Sequence, residues 1–301
     1  MKNLGKSIYQ ILMVKLLLML TISACNSGKG VDPGIAKGDP IKAFFPLCAQ
    51  APTDTEQTCA IINEREVITY VPTSQNQYAG IAIFLHGASG SPEKVSNIFG
   101  AKMIADKFNL VSVAPKGNSW LYEWNSTNDS SADTRDVDHL LAIIDDVQSQ
   151  YSFIDNKVYI FGYSAGGFMA YKLACQIPER LTAMISLAGQ YRGDFDHCAT
   201  SSPMAIHHLH SETDLDVPYN GRSNGNIASV TQTIEFWQQK NACGTEKTLL
   251  IQAGVTESST KTDTEIYTNC VKSIGLSRLN LVSHEDYYRA EKLLATYEYL
   301  L

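Results

Sequence analysis

Apolar positions along the chain fall into runs of two kinds. Glu66 to Val71, Ile81 to Leu85, Leu110 to Ala114, Lys157 to Phe161, Leu181 to Leu187, Met204 to Leu209 and Leu276 to Val282 are brief, strongly apolar stretches. Turn residues bound them, which is the pattern of strands. Between them Lys94 to Phe108, Asp133 to Tyr151, Ala165 to Gln176, Val230 to Lys240 and Glu285 to Leu301 have helical spacing. In the second of these, Val137, Leu140, Leu141, Ile144 and Val147 share one face. The first two strands are expected to be neighbours across a polar turn at Thr73 to Gln77. Strands alternating with helices predict an α/β fold, a mainly parallel central sheet with helices on both faces. In such sheets the working residues lie in loops beyond the carboxyl ends of the strands.

The amino terminus has a different character. Lys2 and Lys6 precede the short apolar run Leu16 to Ala24. That run is about half of the ~20 residues needed to cross a bilayer, so residues 1–24 read as an export signal. Ile22-Ser23-Ala24-Cys25 resembles the lipobox of bacterial lipoproteins. The resemblance implies cleavage before Cys25 and lipidation of that cysteine; the alternative is an ordinary signal peptide with an incidental cysteine. Asn26, standing where an aspartate would signal inner-membrane retention, favours the outer membrane if the source is Gram-negative. Residues 25–40 hold almost nothing to bury and read as a flexible tether, leaving 41–301 as one catalytic domain.

Charge and cysteine content narrow the class further. The whole chain carries a net charge of −7. Without residues 1–24, which hold three lysines and no acid, 21 basic side chains face 31 acidic ones, a charge of −10. An acidic surface argues against a nucleic-acid partner, whose binding rests on lysine and arginine neutralising phosphates. Beyond Cys25 there remain Cys48, Cys59, Cys175, Cys198, Cys243 and Cys270. An even count in an exported chain favours disulfides, expected in chain order as 48–59, 175–198 and 243–270, with buried thiols as the alternative. The spacings are not those of a zinc site.

One motif carries chemistry. Gly162-Tyr163-Ser164-Ala165-Gly166 follows the strand-like Val158-Tyr159-Ile160-Phe161 and opens a helix. That context suits a serine nucleophile on a sharp strand-to-helix turn. Serine needs a base to take its proton, and where the order is serine, acid, histidine, His284 is the candidate base. It lies after the last strand and downstream of any acid that follows the strand at 204–209. Asp214 and Asp216 both follow that strand, and spacing does not separate them; Asp194 and Asp196 stand one strand earlier. Backbone N–H groups of Ala165 and Ala88, the latter in His86-Gly87-Ala88-Ser89-Gly90, are the candidate oxyanion donors. His86 precedes the serine and is expected to shape that loop. His208 and His210 would share a strand face and suggest a metal, but no third ligand has suitable spacing. No metal and no cofactor are expected. Trp120, Tyr122 and Trp124 are candidates either to line an aromatic acyl or sugar pocket or to pack beneath a loop, and Tyr163 is a further candidate for substrate contact.

With these residues placed, the chain resembles the LpqC/polyhydroxybutyrate-depolymerase-type esterases, which include feruloyl and acetylxylan esterases. The resemblance runs from about Ile81 to the end of the chain. It rests on Phe84-Leu85-His86-Gly87, on Trp124 with Asn125, on Asp136-Val137, and on Gly162 through Gly167 with Cys175. His210-Ser211-Glu212-Thr213-Asp214 with Val217-Pro218-Tyr219 is similar to the family's acid loop and places the acid at Asp214. Cys243 and Cys270 resemble a paired feature of the family. The chain departs from the pattern at Ala88-Ser89, at Ser211 where a glycine is usual, and at Val282-Ser283-His284-Glu285-Asp286, where glycines and Trp-Pro are common.

The resemblance implies an α/β-hydrolase fold and a serine esterase acting on an ester of plant polysaccharide or polyester type, outside the cytoplasm and at a membrane through its lipid anchor. Three other functions fit parts of the pattern. They are a serine peptidase of the same fold, a catalytically silent carbohydrate-binding surface lipoprotein, and a deacylase acting on lipid. The oligomeric state is not legible.

Overall fold

The computed structural model describes residues 57–73, 76–117, 123–129, 133–198 and 202–301. The expected leader and tether, Cys25, Cys48, Trp120 and Tyr122 lie outside them. Ten strands form one sheet: β1 (Gln57–Ile62), β2 (Arg65–Tyr70), β3 (Tyr78–Leu85), β4 (Leu110–Pro115), β5 (Phe153–Tyr163), β6 (Ala183–Leu187), β7 (Ala205–Ser211), β8 (Lys247–Ala253), β9 (Lys261–Tyr267) and β10 (Ile274–Leu279). Their order is β1-β2-β4-β3-β5-β6-β7-β10-β9-β8. The centre, from β4 to β10, is parallel. Both margins are antiparallel, with β1 on β2 and β2 on β4 at one side and β10, β9 and β8 at the other. The expected parallel sheet is therefore its middle.

Alternation along the central strands explains why they read as continuous apolar runs: both faces are buried. Ile81, Ile83 and Leu85 of β3 join one core with α3 (Arg135–Gln150), α4 (Ala165–Gln176) and α5 (Val230–Lys240). Ala82 and Phe84 join the other with α1 (Pro92–Phe99), α2 (Ala101–Phe108) and α6 (Ala290–Tyr297). Phe84 stacks on Phe161 at 4.7 Å between ring centroids.

Several boundaries differ from the sequence expectation for identifiable reasons. The two first-read strands, now β2 and β3, are not neighbours, because β4 lies between them. The helix expected from Lys94 to Phe108 is two helices. Gly100 takes a left-handed conformation (φ 69°) and its N–H caps Ser96 O, ending α1 and starting α2. The closing helix is shorter, because the residues after His284 form a loop before α6 begins at Ala290. β1, β8 and β9 were not foreseen. β8 is an edge strand whose Leu249 and Ile251 are 66% and 77% exposed, so its apolar residues face no core and give no in–out rhythm. Disulfides join Cys175 to Cys198 and Cys243 to Cys270.

β7 carries three consecutively buried imidazoles apart from one leucine: His207, His208 and His210. Burial holds all three below the ordinary 6.5, to about 3 for His207 and about 4 for His210. Below pH 6.5 the unfolded chain therefore binds protons that the folded chain refuses, and stability falls as pH falls toward those values. Each histidine contributes up to about 1.4 kcal/mol per pH unit in that window. Urea unfolding should accordingly give a lower unfolding free energy at about pH 5 than at about pH 7, with a smaller difference in His207→Gln. A wild-type profile that is flat over this range contradicts the neutral burial of the three rings.

Candidate active site

Ser164 lies where β5 ends and α4 begins, with φ 54° and ψ −116°. A side chain is held in that sparsely populated region only when its surroundings over-determine it, and here two glycines do so. A Cβ on Gly162 would sit 2.2 Å from Gly166 O, and one on Gly166 would sit 2.0 Å from Leu85 O. Any larger residue would push α4 away from β5 and β3. Ser164 N–H donates to Leu187 O on the adjoining strand at 2.9 Å, which fixes the turn to the sheet.

Three loops at the carboxyl ends of β5, β7 and β10 bring side chains together that are far apart in the chain. His284 Nε2 is 2.8 Å from Ser164 Oγ, and His284 Nδ1 is 2.7 Å from Asp214 Oδ2. A carboxylate only accepts, so Nδ1 carries the proton and Nε2 offers its lone pair to the serine hydroxyl. The geometry is suited to moving the Ser164 proton onto His284. Asp214 is 4% exposed, and its Oδ1 accepts the N–H groups of Asp216 and Val217 at 3.0 and 2.9 Å. Asp216, the other candidate, is exposed and turns no side-chain contact toward the imidazole.

Ala165 N–H opens α4, where the first amides of a helix have no partner within it. The second candidate donor, Ala88, is in a turn closed by Gly90 N–H on Gly87 O at 3.0 Å. His86 builds that turn. Its Nδ1–H donates to Gly87 O at 2.7 Å, and its Nε2 accepts Gly117 N–H at 2.8 Å, so the buried ring is neutral with one tautomer. Burial, the largest influence on it, lowers its pKa.

Trp124 and Tyr163, candidates for substrate contact, are both buried and turn their polar atoms to backbone carbonyls of the chain. Trp124 is 4% exposed and donates from Nε1 to His86 O at 2.9 Å, supporting the Ala88 turn from beneath. The adjacent Asn125 is gripped on both sides of its peptide. Its N–H reaches Asp136 Oδ2 at 2.5 Å, and its carbonyl accepts the buried Lys172 Nζ at 2.8 Å. Arg65 neutralises Asp136 at 2.6 Å. Tyr163 is 2% exposed; its ring stacks on His284 and its hydroxyl donates to His284 O at 2.7 Å. Burial keeps that phenol far above its ordinary pKa, so it remains a donor.

His208 and His210 form a directed chain rather than a metal pair. His210 Nε2 faces the carbonyl of Val217 at 2.8 Å and must donate. Its Nδ1 then accepts from His208 Nε2 at 3.2 Å, and His208 Nδ1 accepts the Tyr171 hydroxyl at 3.0 Å. All four ring nitrogens are used. The chain ends on Val217, whose N–H holds Asp214, and His210 Nε2 is itself 3.6 Å from Asp214 Oδ2.

Reading the sequence missed the residues that tie these loops to each other. Ser211, noted only as a departure from a family glycine, accepts Val282 N–H at 3.2 Å and meets Thr213 Oγ1 at 2.9 Å. It thus joins the loop of Asp214 to the loop of His284. Lys172, a lysine inside the apolar helix Phe168-Met169-Ala170-Tyr171-Lys172-Leu173, was visible as an anomaly but had no legible partner.

A sequence profile of the Prolyl oligopeptidase family matches residues 105–255, half of the chain. The bifunctional acetylxylan esterase/xylanase XynS20E of Neocallimastix patriciarum is 25% identical over 150 residues, 50% of this chain and 21% of that protein. The poly(3-hydroxybutyrate) depolymerase of Ralstonia pickettii is 31% identical over 122 residues, 36% of this chain and 25% of that protein. The chain spans between about a fifth and two fifths of the length of such curated relatives. Among solved structures, an acetyl xylan esterase from Aspergillus awamori superposes with a TM-score of 0.54 at 14% identity, over 81% of this chain and 99% of that one. The fold is that of the α/β-hydrolases.

Replacing Ser211 by alanine leaves the fully buried Val282 with an unmatched N–H. An unsatisfied buried donor costs about 1–3 kcal/mol. Urea unfolding of Ser211→Ala should register a loss of that size; a loss below about 0.5 kcal/mol, the scatter of neutral substitutions, contradicts the tie.

Proposed function

The chain belongs to the prolyl oligopeptidase family, and from that premise we propose that it hydrolyses carboxylic esters by acyl transfer through Ser164, His284 and Asp214. The observation that carries the reading is the unbroken line from Ser164 Oγ to His284 Nε2 at 2.8 Å and from His284 Nδ1 to Asp214 Oδ2 at 2.7 Å. In this mechanism His284 accepts the serine proton as Oγ attacks the ester carbonyl. The N–H groups of Ala88 and Ala165 hold the developing oxyanion. Asp214 stabilises the imidazolium, which then protonates the leaving alkoxide; water, deprotonated by His284, releases the acid. Every step draws on groups of the chain itself.

Relatives whose names are acetylxylan esterase, poly(3-hydroxybutyrate) depolymerase and feruloyl esterase favour an ester linked to a plant polysaccharide or polyester as substrate. The oligopeptidase name of the family favours a second reading, peptide-bond cleavage by the same groups. Export fits the disulfides found among the described residues, which persist in oxidising compartments. We extend the proposal to cleavage before Cys25 and attachment of lipid there. Cells expressing the full chain should incorporate labelled palmitate into it, and Cys25→Ser should abolish incorporation; unchanged label in that variant rules out the anchor.

The test of function is a panel of p-nitrophenyl acetate to laurate, methyl ferulate, acetylated xylan and a short peptide amide. Wild type is expected to hydrolyse at least one ester, with kcat lowered by about 10⁴-fold or more in Ser164→Ala. Release of amine without release of any acid from an ester would establish the peptidase instead. Equal inertness of both proteins toward every compound contradicts both readings.

A further inference from the structure

Two arginines near the first turn of α4 have no part in the proposed chemistry. Arg192 follows β6 and Arg222 follows the Asp214 loop, and both pair through their backbone with Ile227. Ile227 packs with Phe168 and Val217 in a small apolar cluster. Both of those neighbours touch the reacting groups. Phe168 N–H donates to Ser164 O at 3.1 Å, and Val217 N–H donates to Asp214 Oδ1 at 2.9 Å. The guanidinium carbon of Arg192 lies 5.8 Å from the Phe168 ring centroid. One helical turn and one ring contact thus separate Arg192 from Ser164.

Elsewhere Arg65, Arg135, Arg180 and Arg278 each meet a carboxylate. Arg192 and Arg222 meet none among the described residues. Arg192 is half-buried; its Nε donates to Gly225 O at 3.0 Å, and its Nη1 stands 3.5 Å from Ser126 Oγ. The edge formed by Nη1 and Nη2 therefore has no strong acceptor among the described residues. Arg222 gives its donors to Asn224 O and Asp216 O, at 3.1 and 3.4 Å. Burial lowers the pKa of Arg192; Glu123 opposes that shift and Arg222 adds to it. A half-buried cation beside a second cation is costly unless an anion joins them. Two arginines and Glu123 leave one positive charge, which a carboxylate matches. A phosphate group, carrying about −1.5 to −2, would overshoot it.

Proton flow decides which half of an ester reaches this place. The leaving alkoxide takes its proton from His284 Nε2, so the alcohol half departs on the histidine side of Ser164. The His284 ring rests on Tyr163, which belongs to the core shared with α1, α2 and α6. Phe168 stands on α4, and Tyr191, beside Arg192, belongs to the core on the opposite face of the sheet. Arg192 is thus on the side left to the acyl half.

On the reading of the protein as an ester hydrolase, we propose that Arg192, assisted by Arg222, forms a subsite for a carboxylate at the far end of the acyl half. The substrate is then a half-ester of a dicarboxylic acid. Its carbon chain runs past Phe168, and its free carboxylate accepts from Nη1 and Nη2 in the forked geometry that guanidinium offers.

Two measurements on the full chain test this. In the first, kcat/KM is compared for methyl hydrogen adipate, suberate and sebacate, each against the methyl ester of the monocarboxylic acid of equal length. Wild type should favour at least one half-ester over its neutral counterpart. Arg192→Gln should lower that preference about tenfold or more, the scale of a lost hydrogen bond to a charged group. Arg192→Lys, which keeps the charge without the fork, should fall between. No preference in wild type, or one unchanged in Arg192→Gln, overturns the subsite. If Arg192→Gln does not fold, the exposed Arg222→Gln decides: a preference lowered about two- to fivefold supports the subsite, and an unchanged one overturns it. The second measurement does not depend on turnover. Calorimetry should show at least one half-ester binding to Ser164→Ala, weakened at least about tenfold in Ser164→Ala/Arg192→Gln. Absence of binding, or equal binding by both proteins, also overturns the subsite. Inertness of wild type toward every ester would remove the hydrolase reading and leave calorimetry to decide whether an anion site exists.

Discussion

The backbone of Ser164 is the constraint on which the rest of the structure depends. A serine at φ 54° is held there because β3, β5 and the start of α4 approach so closely at Gly162 and Gly166 that no side chain fits between them. That approach is possible only because the two cores on either face of the sheet press the helices inward, and it lifts Oγ clear of the sheet at the strands' carboxyl ends. Unpacking α4 would let the serine relax to an ordinary conformation, and the 2.8 Å contact with His284 would have no reason to persist.

Around this turn, charge is placed sparingly. The imidazoles of His86, His208 and His210 are buried with the charged form disfavoured, and each serves as a directional link. They carry fixed donors and acceptors to the Ala88 turn and to the Asp214 loop without adding a competing charge beside the carboxylate. Asp214 has both oxygens occupied by N–H donors, so it presents to His284 a position, not merely a charge. The ties between loops are equally local. Ser211 binds the ends of β7 and β10, Tyr163 binds the end of β5 to the histidine loop, and Trp124 with Asn125 binds the Ala88 turn to α3 and α4.

How much of this was legible in the sequence depended on whether burial left a pattern. Central strands buried on both faces wrote continuous apolar runs, and α3 wrote a helical stripe. The outer strands β1, β8 and β9 were silent, because β1 and β8 are exposed and β9 alternates threonine with charge. The serine was readable because steric need forces glycines at fixed offsets around it. The choice between Asp214 and Asp216 was not a matter of spacing; only the buried position and the family's acid loop separate them. Trp124 and Tyr163 stayed open in the sequence because an aromatic near a nucleophile has the same letter whether it faces substrate or supports a loop. Here each spends its polar atom on a backbone carbonyl, of His86 and His284 respectively. Ser211 is the converse case. Its departure from a family glycine looked like divergence and is a hydrogen-bonded link.

A working nucleophile and base at Ser164 is tested most directly by covalent trapping. The protein would be treated with a fluorophosphonate and the modified peptide located by mass spectrometry. A single adduct on Ser164 is expected, formed at least about 10³-fold more slowly in His284→Ala. An adduct on a different serine, or labelling of Ser164 at the same rate without His284, would contradict the account.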